Sequence, residues 1–359
     1  MTATTGTTLN QADVEAFVGR VLGDTSGTLT TFLAAVGDRL GLFKDLAVLG
    51  PVTAPELAER SGVNERYARE WLAAMAAAGY LDYDPATTRF TLPPEHAPAL
   101  AEEAGPYFFG GPHQMIIGLA SRLDEVVRVF REGGGLSQSG YGAHWWDGME
   151  RFTNGWFENL LLPVWIPAMP EVERRLERGA TLADVGCGRG RALVRLATAF
   201  PNSSFVGYDV FEPSVARARI LAESAGVADR VRFEVADGAG GLPEQYDIIT
   251  TFDVVHDAVD PRGLLRSIRR ALRPGGIYVC LDIHCSERLE ENLGPLGALF
   301  LGFSVMYCMT TSLAGGGEGL GTVGFHEPKV RELCGEAGFS AVRAVPIDNP
   351  FHNLYEIRP

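Results

Sequence analysis

Cysteine is scarce in this sequence: five residues in 359, at positions 187, 280, 285, 308 and 334. The number is odd and no Cys-x-x-Cys pair occurs, which argues against both a disulfide framework and a structural zinc site. Reduced thiols in a cytosol fit this usage, and no metal ligand set is expected. Basic charge is also in short supply. Lysine and arginine total 31 against 45 aspartates and glutamates, a net charge of -14, so the surface field repels phosphate backbones rather than gathering them. Met1 to Arg20 has neither a basic start nor an apolar signal-peptide stretch, so a cytoplasmic location is expected. One uncharged run, Asn292 to Gly317, is long enough to cross a bilayer, but it is interrupted by Gly294, Pro295, Gly297 and Gly302 and ends in Thr310, Thr311 and Ser312. A buried helix or pocket cover is the expectation there. What remains, 46% hydrophobic and 21% charged residues, is an ordinary globular composition with room for two or three domains.

The first hundred residues have the periodicity of helices. Val14, Phe17, Val18, Val21 and Leu22 share one helical face, as do Leu29, Phe32, Leu33, Val36 and Leu40, giving two amphipathic helices that need a partner surface. Thr53 with Glu56 three positions later makes a capping-box pattern for a helix through Arg60, stopped by Ser61-Gly62. Asn64 starts a second helix to about Ala78, with Tyr67, Trp71, Leu72 and Met75 as its apolar stripe. Residues 80–83 and 89–92 flank a turn at 84–88 and form a two-strand ribbon. Together these make a winged helix-turn-helix. From Thr53 to Glu95 only Arg60, Arg66, Arg69 and Arg89 oppose seven acidic residues, so a packing and dimerisation role is preferred to DNA binding. Residues 101–175 read as a helical connector rich in aromatics, among them Tyr141, Trp145, Trp146, Phe157 and Trp165, some of which are expected to line a pocket.

From Gly179 onward short apolar strands alternate with helices, the pattern of a parallel sheet covered on both faces. A buried strand over residues 181–185 runs into Gly186-Cys187-Gly188-Arg189-Gly190 and then a helix, a turn whose glycines let backbone approach a ligand at a helix N-terminus. The next strand ends in Asp209, nineteen residues after Gly190, where a carboxylate can accept bonds from both ribose hydroxyls. The loop is G-x-G-x-G, with Arg191 where a dinucleotide fingerprint has its third glycine, which makes NAD the weaker ligand. Asp237-Gly238 ends a third strand and Asp253 follows a fourth that closes with Phe252. Each acidic residue falls at a strand C-terminus, where ligands bind in open α/β sheets.

These residues, with Leu272-Arg-Pro-Gly-Gly276 before the strand Ile277 to Asp282, resemble class I S-adenosylmethionine-dependent methyltransferases. With the winged helix in front, the chain is similar to the bacterial branch of small-molecule O-methyltransferases that carry an N-terminal dimerisation domain. The resemblance implies an α/β fold: a Rossmann-like seven-stranded methyltransferase sheet (residues 176–359) behind an all-helical winged-helix domain (residues 1–100) bearing the ribbon. It further implies that S-adenosyl-L-methionine is held by Asp184, Gly186, Gly188, Gly190, Asp209, Val210, Phe211, Asp237, Gly238, Phe252 and Asp253, with no metal. His256 matches the base of the plant-type His-Asp pair and is the candidate catalytic residue, although Ala258 stands where those relatives have tryptophan; His284 and His113 are weaker candidates. The expected activity is methyl transfer to O, N or an electron-rich C of a small, largely apolar or aromatic metabolite by a homodimer that binds neither nucleic acid nor membrane. Two alternatives use the same residues: a winged-helix transcriptional regulator with a ligand-sensing methyltransferase-like domain, and an enzyme that uses S-adenosylmethionine without transferring its methyl.

Overall fold

The computed structural model describes residues 9–359; the first eight residues, part of the stretch on which the export reading rests, lie outside the described residues. The chain divides into two compact units, Met1–Ile117 with Asp147–Phe152, and Gly118–Trp146 with Thr153–Pro359. The aromatic connector at 101–175 is thus shared between them.

In the first unit, α1 (Gln11–Arg39) is one continuous helix where the sequence pattern predicts two. The Asp24 to Gly27 stretch does not break it, and Thr25, Thr28, Thr30 and Thr31 each return their hydroxyl to the carbonyl four residues back. α2 (Leu42–Leu49), α3 (Ala54–Ser61) and α4 (Glu65–Ala77) follow. The Thr53 backbone N–H donates to Glu56 at 2.8 Å, completing the capping box, and Arg89 of the ribbon clamps the same glutamate. Asn64 caps α4. The buried stripe of α4 is Ala68, Trp71, Leu72 and Met75; Tyr67, expected among them, is exposed. The wing is β1 (Asp82–Asp84) paired antiparallel with β2 (Arg89–Thr91).

The second unit is built on seven strands: β3 (Thr181–Val185), β4 (Ser204–Asp209), β5 (Val231–Val235), β6 (Tyr246–Phe252), β7 (Leu272–Ile283), β8 (Ala341–Val345) and β9 (His352–Arg358). Their order is β5-β4-β3-β6-β7-β9-β8, with β3 to β7 parallel and β9 antiparallel to both neighbours. Alternate residues of each strand feed opposite cores: Leu182, Ile248, Ile277 and Val279 on one face, Ala183, Val185, Ile249, Tyr278 and Cys280 on the other. Burial on both faces explains why the strands read as unbroken apolar runs. The chain winds outward from β3 in one direction through β4 and β5 and in the other through β6 and β7. That reversal opens a crevice at the C-terminal ends of β3 and β6, the place where such sheets hold ligands.

The uncharged run forms a helix over Pro295–Ala314 that has the length and composition of a membrane span. Its second half is inside the unit: Ser304, Tyr307, Cys308, Thr310, Thr311 and Ser312 are buried, and Ser312 Oγ donates to the Ala258 carbonyl at 2.9 Å. The middle of this helix, Ser304–Cys308, is wound as a π-helix, and so is Phe157–Trp165.

Candidate functional site

The turn after β3 is held by backbone. The N–H groups of Gly186 and Cys187 donate to the Tyr208 carbonyl at 2.8 and 3.0 Å, folding the loop over the end of β4. Two of its glycines serve different ends. Gly190 has φ +78°, and a Cβ there would stand 2.6 Å from Phe233 Cζ and 2.8 Å from Ala218 Cβ, so it lets the following helix pack. Gly188 has φ +52°, and a Cβ would meet nothing within 4 Å, which leaves open space directly over the loop.

Asp209 ties that loop to the next. One carboxylate oxygen accepts from Gly188 N–H at 2.8 Å and the other from Phe211 N–H at 2.8 Å. Each oxygen keeps a lone pair, so the side chain can still accept two hydroxyl donors. Burial raises its proton affinity, opposed by the two N–H bonds. Phe211 stacks on Trp146 with ring centroids 4.4 Å apart, Val210 is exposed beside it, and Asp237 is exposed with its carboxylate capping Ala239 N–H at 2.9 Å. Gly238 is buried against Val185 and Leu264. Asp184 lies beneath the loop rather than in it. It is 2% exposed, accepts from Thr250 Oγ1 at 2.7 Å, and is pushed up to about 7 by burial and by the Asp209 charge.

The end of β6 carries strain. Asp253 has φ +56°, uncommon for a residue with a side chain, and its N–H donates to the Leu281 carbonyl at 2.9 Å. Its Oδ2 is 3.0 Å from His352 Nε2, whereas Oδ1 is buried without a hydrogen bond. His352, fully buried on β9, packs edge-on to Trp156 at 4.4 Å. Phe252 stacks on Trp165 and meets Phe157 edge-on at 5.5 Å.

His256 stands in the short turn Val255–Asp257 and is 4% exposed. Its Nδ1 lies 2.6 Å from Oδ1 of Asp282 at the end of β7, which also accepts Ile283 N–H at 2.9 Å. Burial opposes the charged imidazolium, but Asp282 and Cys308 outweigh it and hold His256 well above the usual histidine range. Burial pushes the neighbouring Asp257 up to about 7 against the pull of His256. Tyr307 from the π-turn is buried here, 4.3 Å from Trp145, and the charges of both Asp257 and Asp209 act on it. Asp209, Asp257 and the aromatic shell of Trp145, Trp146 and Tyr307 therefore share one neighbourhood. His284 is exposed on Asn353, and His113 belongs to the other unit, where burial lowers it to about 4.

Sequence reasoning passed over Asp282, His352 and Cys308 as functional groups. Asp282 was findable, since it too is a carboxylate at a strand end. His352 arrives on an antiparallel strand and Cys308 on a helix, and neither carries a local signal.

The comparisons with known proteins agree with this architecture. Residues 183–278 match the family profile described as a methyltransferase domain, and residues 28–102 match that of an Rv2258c-like winged HTH domain. A ubiquinone biosynthesis O-methyltransferase of Ruegeria pomeroyi is 32% identical over 120 residues, covering 33% of this chain and 47% of the relative. A 27-O-demethylrifamycin SV methyltransferase of Amycolatopsis mediterranei is 40% identical over 105 residues, 28% of this chain and 38% of the relative. The chain thus spans between 38% and 60% of the length of such curated relatives. Among solved structures, PigF with SAH superposes with a TM-score of 0.71 at 20% identity, covering 98% of this chain and 100% of that one. The mitomycin 7-O-methyltransferase MmcR superposes at 0.69 with 22% identity, covering 97% and 99%. At such identities the likeness speaks for the fold alone. The chain carries a methyltransferase domain of the Rossmann-like class behind a winged helix-turn-helix domain.

Proposed function

We propose that this protein transfers a methyl group from S-adenosyl-L-methionine to O, N or an electron-rich C of a small, largely apolar or aromatic metabolite, in secondary metabolism. The observation that carries the reading is Asp209: a buried carboxylate that orders the Gly188 and Phe211 backbone and keeps acceptor capacity for a ribose beside open space. Phe211, fixed by its stack on Trp146, would lie against the adenine with Val210, and Asp237 with Gly238 would read its amino edge. Asp253, with its unpartnered Oδ1, and Phe252 would flank the methionyl part over Gly186, Gly188 and Gly190; Asp184 supports the loop from below. Relatives named as O-methyltransferases, and neighbours solved with SAH or SAM, support the same cofactor.

When bound, the cofactor supplies a methyl group already activated on a sulfonium, so the chain's task is to hold the acceptor in line and keep water away. Trp145, Trp146 and Tyr307 suit a flat apolar acceptor. His256 in its neutral form would take the acceptor's proton, with Asp282 as the positioning residue that fixes its ring through Nδ1; because Asp282 raises His256, that neutral form, and turnover with it, grows as pH rises. Incubation with methyl-labelled S-adenosylmethionine and aromatic hydroxyl, amine and indole acceptors tests the reading: labelled product with one equivalent of S-adenosylhomocysteine supports it. Product formed without S-adenosylhomocysteine would favour the non-methylating alternative.

The regulator alternative is disfavoured by α4, whose arginines are already engaged within the helix, Arg66 with Glu70 and Arg69 with Glu65. The exposed apolar face of α1, with Phe17, Val18 and Leu22 at 66, 59 and 69% exposure, favours a homodimer joined through the N-terminal unit, and free cysteines without a disulfide suit a cytoplasmic location. Light scattering of Phe17→Glu at monomer mass, against a dimeric parent, is the expected result.

A further inference from the structure

The cluster behind the crevice has an unused chemical capacity. His256, Asp257 and Cys308 each offer one ligand atom, and the three atoms lie within 4.8 Å of one another. We propose that these residues form a zinc-binding site, with Cys308 thiolate, His256 Nε2 and an Asp257 carboxylate oxygen as the protein ligands.

Four features of the structure carry this. Zinc bonds of about 2.0–2.3 Å put tetrahedral ligand atoms roughly 3.3–3.8 Å apart, so the trio closes with about 1 Å of side-chain movement. The second shell is already built: Asp282 Oδ1 lies 2.6 Å from His256 Nδ1 and is itself fixed by Ile283 N–H, the carboxylate–histidine arrangement in which a metal on Nε2 takes the place of a proton there. The local charge suits a cation, since one ligand, Asp257, is a carboxylate and a second carboxylate, Asp282, stands 2.6 Å behind His256. The site also has one open side, since His256 and Cys308 are buried while Asp257 keeps partial exposure, leaving a path in and a fourth position for water or an acceptor heteroatom. A donor set of thiolate, imidazole and carboxylate selects zinc over magnesium or calcium. Cys308 reaches this place because it ends the π-helical turn Ser304–Cys308, a local widening that recurs at functional sites. No Cys-x-x-Cys spacing announces the site; its ligands come from a strand-end turn and from the cover helix.

A zinc ion on Nε2 occupies the lone pair with which His256 would take a proton, so zinc is expected to suppress turnover reversibly. That consequence rests on the methyl-transfer reading, whereas the site itself does not.

The test uses the full chain and two probes, Zn2+ by calorimetry and Co2+ by absorption. The expected result is one ion per chain, a thiolate-to-cobalt charge-transfer band in the near ultraviolet, and release by EDTA. In Cys308→Ser the band disappears, and in Asp282→Asn zinc affinity falls by about 10- to 100-fold. S-adenosylhomocysteine binding and thermal unfolding of both variants check that they are folded. Absence of the band on folded protein, or a band that persists unchanged in Cys308→Ser, overturns the proposal. Failure of methyl transfer with the band intact would count against the proposed reaction and leave the metal site standing.

Discussion

The proposed donor side and acceptor side of the crevice are built in opposite ways. On the donor side each group sits within a few residues of a strand end: the 186–190 loop after β3, Asp209 at the end of β4, Asp253 just after β6. Backbone bonds such as Gly188 N–H to Asp209 fix their geometry. On the proposed acceptor side Trp145, Trp146, Tyr307 and Cys308 come from helices remote in sequence, and side-chain packing brings them against the strand-end pair His256 and Asp282. A site made of short-range backbone geometry tolerates little change in its glycines and carboxylates, whereas a packed aromatic shell can be remodelled to suit a different acceptor.

The sharpest way to break this comparison is Gly190→Ala. The added methyl meets Phe233 and Ala218 and the backbone is held at φ +78°, so a loss of about 2–5 kcal/mol is expected in denaturant unfolding. Gly188→Ala, with nothing within 4 Å, is expected to cost only about 1–2 kcal/mol from its backbone while greatly weakening S-adenosylhomocysteine binding. Equal destabilisation by the two would contradict the separate roles assigned to them.

On the acceptor side, His256→Gln is expected to lower turnover by about 10²- to 10⁴-fold with cofactor affinity retained, measured by single-turnover kinetics. Asp282→Asn should lower kcat in the same direction, since the ring loses its carboxylate anchor. Unchanged turnover in His256→Gln would remove the histidine from the reaction. An effect of Asp282→Asn on KM alone would demote Asp282 to packing.

A smaller effect separates the buried Asp184 from Asp209, the proposed ribose partner. Because burial raises Asp184 in the folded state to about 7 from an ordinary 3.8, its contribution to stability is full at acid pH and is lost as pH rises through about 7. Asp184→Asn should therefore flatten the fall in thermal stability between about pH 4 and about pH 7. An identical pH profile for parent and variant would show that the carboxyl is ionised throughout. The smallest effect is a null one: duplex DNA should show no salt-dependent binding above background, and steep salt dependence by fluorescence anisotropy would restore the regulator reading.

The proposed donor side could be read from the sequence because its signals are local. Glycine spacing, the interval from Gly190 to Asp209 and carboxylates at strand ends are properties of short windows, and the structure keeps them at the crevice. Asp184 was less legible: its strand-end position says nothing of Thr250 on the neighbouring strand, which draws it beneath the loop. The helix pattern of the N-terminal unit was read correctly except in the unbroken α1, where two helices were expected, and the exposed Tyr67. Nothing in a linear reading pairs His256 with Asp282 or brings Cys308 to them, because that meeting depends on the register of β7 and on a π-turn in the cover helix.

The most direct measurement is isothermal calorimetry of S-adenosylhomocysteine with the parent chain and with Asp209→Ala. Saturable one-to-one binding by the parent and at least about tenfold weaker binding by the variant is the predicted result, since the proposed charged hydrogen-bond partner of the ribose is lost. No heat with the folded parent, or equal affinity in the two proteins, would contradict the account.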